Sequence, residues 1–201
     1  MKKIVFILMS FFIWIQSAQA DLDPKKAEAF MTNIGTTVIG LLTNKSISDQ
    51  ERANKFQEIL ETSFNVNAGG KFVLGRYWNQ ATAEQKKQFL SLFKATTVAS
   101  YATRFKDYTS QQFDVIGSRP ESDGGVTVLS KIIRPKGTPI SIDWKIFEKN
   151  GEMRIYDVVL EGISMSVTLR SEYAAVIQQG GGNVQALINA LEKKRQSYKL
   201  N

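Results

Sequence analysis

Two hydrophobic periods divide the chain: up to about residue 108 apolar positions recur every three or four residues, and from Phe113 to Val159 they alternate with polar ones before the helical period returns. The most regular stretch is the longest helical one. Thr82 stands three residues before Gln85, a capping box in which each side chain satisfies a backbone donor. Behind it Phe89, Phe93, Thr97, Tyr101, Phe105 and Tyr108 fall on one stripe. A helix over Ala83 to Tyr108 would be about 39 Å long at about 1.5 Å per residue, enough to cross a small domain. A surface helix of that length needs a partner, and the strand-rich stretch after it is the expected one.

Upstream, Asp23-Pro24 supplies an N-cap and a first-turn proline, and a helix follows through Phe30, Ile34, Val38 and Leu41 to Asn44, weakened by Gly35 and Gly40. Ser48 and Glu51 form a second capping box ahead of Phe56, Ile59, Leu60 and Phe64. Asn65 to Gly70 reads as a loop, and a short helix carries Phe72, Val73 and Leu74 up to Tyr77 and Trp78.

In the alternating part, Phe113, Val115 and Gly117 start a first strand, Ser118 to Gly125 turns, and Val126 to Arg134 is the next strand. Pro135 to Thr138 turns again. Ile140 to Phe147 is the clearest strand, with Ile140, Ile142, Trp144 and Ile146 on one face. Asn150-Gly151 is a type I′ hairpin signal, because both central residues need positive φ. With those two as the loop, Lys149 pairs with Glu152, Ile146 with Ile155, Trp144 with Asp157 and Ile142 with Val159. An aspartate then lands on the inner face. After Glu161-Gly162, Ile163 to Gln179 turns helical and is closed by Gly180 to Gly182; Val184, Leu187, Ile188 and Leu191 mark a last helix, followed by the basic tail Lys193 to Lys199. Helices about 21–110, a sheet of about four antiparallel strands over 111–162 and helices over 163–198 predict one α+β domain. Its sheet would curl on the long helix as a cone with an apolar interior.

The first twenty residues stand outside that fold. Lys2 and Lys3, an apolar run from Ile4 to Ile15 and the small residues of Ala18-Gln19-Ala20 form a secretory leader with cleavage expected after Ala20. The run is short of the roughly 20 residues that span a bilayer. The chain has no cysteine, so neither disulfides nor acylation behind the leader is expected. An exported protein without an anchor would diffuse in the periplasm, as a monomer.

Removing Lys2 and Lys3 takes two charges from the formal +7. What remains is an ordinary solvated surface, or a weak attraction to anionic headgroups and acidic partners. There is no basic run, and nucleic acid is not an expected partner. The lack of histidine and cysteine excludes catalytic triads built on either and histidine-held metal. No metal or other cofactor is expected. Asp157 and Glu161 share a strand face and would need pKa values pushed apart by burial to act as acid and base. The simpler role for Asp157 is to accept hydrogen bonds from Trp144 or from backbone donors. Phe89, Phe93 and Phe105, taken singly, read as core, whereas a buried hydroxyl on Tyr101 or Tyr108 favours a pocket rim.

Motifs narrow this further. Val73-Leu74-Gly75-Arg76-Tyr77-Trp78 followed by Ala81-Thr82, Gln85, Phe89, Phe93 and Tyr101 resembles the signature of the MlaC, or toluene-tolerance, family. A second block resembles it too: Tyr156-Asp157-Val158, Glu161-Gly162-Ile163-Ser164, Arg170, Gly180 to Gly182 and Leu187-Ile188 to Leu191. Met153 and Asn65 stand where members often have tryptophan and aspartate, which leaves room for a hopanoid-associated branch. The resemblance implies an NTF2-like curved sheet with a helical subdomain. It further implies a non-enzymatic periplasmic carrier that shuttles phospholipid between outer and inner membranes. The implied partners are an inner-membrane ABC transporter complex with an MCE-domain subunit and an outer-membrane lipoprotein and porin complex.

For such a carrier the candidate pocket residues are Phe93, Thr97, Tyr101, Phe105, Ile140, Ile142, Trp144, Ile146, Ile155 and Val159. Arg76, Lys131, Arg134 and Arg154 are candidates for headgroup or docking contacts. Two alternatives stay open: an NTF2-like enzyme with Asp157 as general base on a hydrophobic substrate, and an assembly factor whose aromatic groove takes a peptide.

Overall fold

The computed structural model of the chain describes residues 21–102 and 112–198, with residues 101 and 102 as backbone alone. Four helices come first: α1 (Pro24–Thr43), α2 (Asp49–Ser63), α3 (Val66–Leu74), continued by a 3₁₀ turn (Gly75–Trp78), and α4 (Ala83–Ala102). Five strands follow, β1 (Gln112–Pro120), β2 (Val126–Ile133), β3 (Ile140–Lys149), β4 (Glu152–Leu160) and β5 (Ile163–Ser164), then α5 (Met165–Gln179) and α6 (Val184–Ser197). Residues 103–108 of the expected long helix, Phe105 and Tyr108 among them, lie outside the described residues.

Side chains start the helices where expected. Asp23 accepts from the Lys25 N–H at 2.8 Å with Pro24 behind it, and Ser48 accepts from the Glu51 N–H at 3.1 Å. The Thr82–Gln85 box is reciprocal, each contact at 3.1 Å. The segment 65–70 is helix rather than loop. Asn65 Oδ1 accepts from the Ala68 N–H at 3.0 Å and so caps α3, which runs through both glycines.

The sheet is antiparallel in the order β1-β2-β3-β4-β5, with the two-residue β5 added to the four strands expected. At the β3–β4 hairpin Asn150 (φ 54°) and Gly151 (φ 78°) both adopt the left-handed conformation that a type I′ turn needs. Lys149 pairs with Glu152 and Ile146 with Ile155. Beyond that point the expected register fails, because Tyr156 is an extra residue in a β-bulge. Lys145 then faces Asp157, Trp144 faces Val158, Asp143 faces Val159 and Ile142 faces Leu160. A bulge transfers every later side chain to the opposite face. Here it carries Asp157 and Val159 away from the inner face and brings Val158 and Leu160 onto it. β1 has a similar irregularity between Val115 and Gly117, which turns Ile116 outward at 56 % exposure.

Two separate cores result. On the inner face of the sheet, Val126, Val128, Ile146 and Ile155 bury Leu22, Ala27 and Met31 of the α1 segment. Gly35 makes that approach feasible, since a Cβ there would stand 2.1 Å from the Phe113 ring. The other core is helical. Val73, Leu74 and Tyr77 pack with Phe89 and Leu92 of α4, Tyr173 and Ile177 of α5, and Leu187, Ile188 and Leu191 of α6. The helix that covers the sheet is therefore α1, and the expected pairing of sheet and α4 is corrected: α4 packs chiefly on α6, α2 and α3. Its aromatic stripe explains why. Phe89 and Phe93 stack at 5.9 Å, and both meet Tyr173 edge-on, at 6.0 and 6.5 Å.

Candidate functional site

Each core has a fringe of half-buried apolar side chains. On the sheet core the fringe includes Ile34, Phe64, Trp144 and Val158; on the helical core it includes Leu90 and Phe93. Along α1 the stripe begins with buried Ala27 and Met31 and continues with half-buried Ile34, Val38 and Leu42. Half-buried apolar groups at the edge of a packed region are surface that a further apolar body would cover.

Polar atoms on the inner face are satisfied internally. The Trp144 indole N–H donates to Ser130 Oγ at 2.8 Å, and the fully buried Ser130 hydroxyl donates to the Ile142 carbonyl at 2.9 Å. Trp144 thus needs no carboxylate, and its ring lies edge-on to Phe113 at 6.1 Å. Asp157 instead accepts from the Val158 N–H (2.9 Å), the Ser164 hydroxyl (2.6 Å) and the Ser166 N–H (3.1 Å). It tethers the first turn of α5 to β4.

The sequence-derived pocket candidates divide. Ile146 and Ile155 are 0 % and 1 % exposed inside the α1–sheet core, so they are core residues and present no surface to a ligand. Ile142 is nearly as enclosed, at 8 %. Val159 is turned to the outer face by the bulge. Ile140 and Trp144 on β3 and Phe93 and Thr97 on α4 are half-buried. The side chain of Tyr101 and the whole of Phe105 lie outside the described residues.

The four basic candidates do not converge. Arg76 donates to the Tyr77 hydroxyl at 2.9 Å, and that hydrogen bond pulls the phenol below its ordinary pKa. Lys131 lies near the far end of β2 and Arg134 just beyond it, where Arg134 Nη2 donates to the Thr138 carbonyl at 2.6 Å. Arg154 stands at the opposite end of the sheet, next to the hairpin, and Nη2 donates to Glu152 at 2.9 Å.

Of the four, Arg154 alone lines a groove of about 700 Å³ between the α2–α3 junction, α4 and the β3–β4 hairpin. Its walls are Phe64, Asn65, Val66, Leu90, Ser91, Lys149 and Tyr156, with the Glu61–Lys94 ion pair at 2.9 Å on one rim. Lys94, then Gln57, hold the Glu61 carboxyl below the usual range. Asn65 joins the parts: its N–H donates to the Ile155 carbonyl at 3.1 Å and its Nδ2 to the Tyr156 hydroxyl at 3.1 Å. Sequence reasoning missed this groove. The available signal was the aspartate on the supposed inner face, a conflict that only a bulge near Tyr156 resolves.

The two motif blocks meet at Gly75 and Arg170. Gly75 takes φ 57° and ψ −131°, and a Cβ there would lie 2.9 Å from Arg170 Nε. The Arg170 guanidinium in turn sits over the Phe72 ring at 5.1 Å. Together with Leu187 and Leu191 these blocks build the helical core. A family profile described as MlaC protein matches residues 33–193. The chain belongs to the MlaC family. It is 26 % identical, over 133 residues, to the intermembrane phospholipid transport system binding protein MlaC of Haemophilus influenzae. That alignment takes in 64 % of this chain and 61 % of that protein, so the chain spans about three fifths of that relative's length. A toluene tolerance protein of Pseudomonas putida is 22 % identical over 159 residues, 77 % of this chain and 74 % of that one. Among solved structures, a phospholipid-binding protein of Ralstonia solanacearum in complex with a phospholipid has the same fold. The TM-score is 0.70 at 21 % identity, over 87 % of this chain and 97 % of that one. The α+β, NTF2-like class stands, with α1 in the place expected for α4. Among the described residues no helix is long and apolar enough to cross a membrane.

Proposed function

We propose that this MlaC-family chain is a phospholipid carrier that holds acyl chains in the seam between its two cores. The observation that carries the reading is the family match over residues 33–193, which takes in the helical core, the sheet and the half-buried fringe residues named above. The relatives named above as phospholipid-transport and phospholipid-binding proteins point to the same ligand. Two acyl chains contain about 30 methylenes, which left in water would cost on the order of 25 kcal/mol at about 0.8 kcal/mol each. A carrier has to offset nearly all of that. Trp144, Ile140 and Val158 on the sheet side and Phe93 and Thr97 on the helix side are the lining residues of this reading.

Binding without catalysis fits the fate of Asp157, whose oxygens are taken up by two backbone N–H groups and a serine hydroxyl. The leader pattern supports a periplasmic carrier, and the reading takes it as a single domain over 21–201 that works between inner- and outer-membrane lipid complexes. Lipid extraction from the purified protein followed by mass spectrometry tests the reading, with phospholipid expected and hopanoid marking the other branch. A protein that comes out lipid-free and takes none from vesicles overturns it.

A further inference from the structure

Large apolar side chains left in water carry information when they cluster, since single ones are an ordinary feature of a protein surface. Four stand out among the described residues: Phe72 (43 % exposed), Ile116 (56 %), Ile163 (59 %) and Val167 (53 %). Ile116 is turned out by the β1 bulge, and the other three gather where α3 lies against α5. In α3 the buried positions are Gly70, Val73 and Leu74, which leaves Phe72 outside; in α5 they are Tyr173 and Ile177, which leaves Val167 outside. Arg170 joins the two helices, with its guanidinium over the Phe72 ring at 5.1 Å and its place on α5 one turn after Val167. Ile163 comes immediately before Ser164, whose hydroxyl caps α5 by accepting from the Val167 N–H at 3.1 Å. The charge around this patch is positive. Lys71 precedes Phe72, and Arg76 follows Gly75, the glycine that Arg170 packs against. Lys71, Arg76 and Arg170 are all exposed, and none has a carboxylate partner among the described residues. Of the neighbouring acids, Glu161 accepts from the Ser141 N–H, and Glu172 lies about 140° round α5 from Val167.

We propose that this α3–α5 face docks reversibly on an anionic phospholipid surface. Phe72, Ile163 and Val167 enter the headgroup layer, and Lys71, Arg76 and Arg170 meet the phosphates. Charge complementarity decides the occupant: projecting apolar groups ringed by long cations fit a fluid interface, which supplies apolar depth and phosphate together and demands no matching shape. None of these side chains lines the groove beside the β3–β4 hairpin. The inference goes beyond the carrier reading and does not need it, because it concerns an outer face of the helical core and not the seam. Each cation held near an anionic surface contributes about fivefold in partitioning. Three such contributions and three partly exposed apolar side chains make a contact that salt weakens and that releases the protein again.

Co-sedimentation of the protein with vesicles tests this, with phosphatidylglycerol mixed into phosphatidylcholine in one set and phosphatidylcholine alone in the other. The expected result is binding about tenfold or more stronger to the mixed vesicles, falling as salt is raised. Val167→Glu puts a charge into the patch at a first-turn position that suits an acid, so the helix is kept; it should lower binding about tenfold. Lys71→Glu should lower it about fivefold or more. Ile116→Glu makes the same kind of change at the exposed hydrophobic outside the patch and should leave binding unchanged. Thermal melts check that each variant is folded. The lipid extracted from Val167→Glu should match that of the parent, which separates the docking face from the seam. A protein that takes up no lipid yet binds vesicles in this pattern overturns the carrier reading and leaves the docking face standing. No binding, equal binding to the two vesicle types, or binding that survives both patch substitutions overturns the proposal. So does self-association that Val167→Glu abolishes in a protein that ignores vesicles, which would make the face a contact between copies. Capture by native membranes but not by protein-free vesicles, lost in Val167→Glu, would make the partner a membrane protein and overturns it as well.

Discussion

Gly75 shows how closely the family motifs serve packing. At Gly75 an L side chain would be forced into a backbone conformation favoured only by glycine, with its Cβ against Arg170. Gly75→Ala is expected to destabilise the protein by about 1–3 kcal/mol, read as a lower urea midpoint with an unchanged slope. Tyr173 makes a titration prediction. Burial, with the Glu172 charge adding to it, pushes its phenol up to about 12. Between the unfolded value near 10 and that figure, the folded state binds more protons than the unfolded one. Stability therefore holds below about pH 10 and falls as pH rises toward 12. Two pKa units correspond to about 2.7 kcal/mol. Tyr173→Phe should remove most of the fall, measured as the difference in unfolding free energy between pH 9 and pH 11.5.

At the level of elements, the bulge in β4 decides what the sheet offers a ligand, and it was also the main thing hidden in the sequence. Caps, strand limits and the Asn150-Gly151 turn were legible because each depends on residues a few positions apart. The bulge depends on Asn65, 91 positions away in sequence, which grips the Tyr156 hydroxyl. The choice of helix on the sheet was hidden for a similar reason. α1 and α4 both have apolar stripes, and only the clash-free approach at Gly35 and the ring cluster around Tyr173 assign one to each core. Of the pocket candidates, alternation along β3 could separate inner from outer residues but not core from lining. That distinction is testable with two equal insertions. Ile146→Trp overpacks a full core and should cost about 1–3 kcal/mol of stability. Thr97→Trp enters the fringe of α4 and should leave the thermal midpoint of the lipid-free protein within a few degrees while lowering lipid occupancy several-fold. Thermal melts and lipid counting by mass spectrometry on the same preparations would check both, and loss of occupancy without loss of stability at position 146 would contradict the placement.

For the whole molecule, the carrier proposed above would have its ligand as a structural component, held along the seam between the two cores. A lipid that binds the folded state and not the unfolded chain stabilises it by RT ln(1 + [L]/Kd), about 2.7 kcal/mol when free ligand is 100-fold above Kd. On that proposal its removal would also uncover Ile34 and Trp144, half-buried against the sheet core, and Phe93, half-buried against the helical core. Delipidation is therefore expected to lower the melting temperature, to increase binding of a hydrophobic dye, and to raise amide exchange in the fringe segments more than in either core. Thus Ile146 and Val128 in the sheet and Phe89 and Leu187 among the helices should stay protected, whereas Val38, Leu42 and Thr97 lose protection. A uniform rise across all of these would mean that the two cores unfold together and that the seam is not an independent opening. Fringe-specific exchange that reverses when phospholipid vesicles are added back would identify the seam as the place where the lipid enters and leaves.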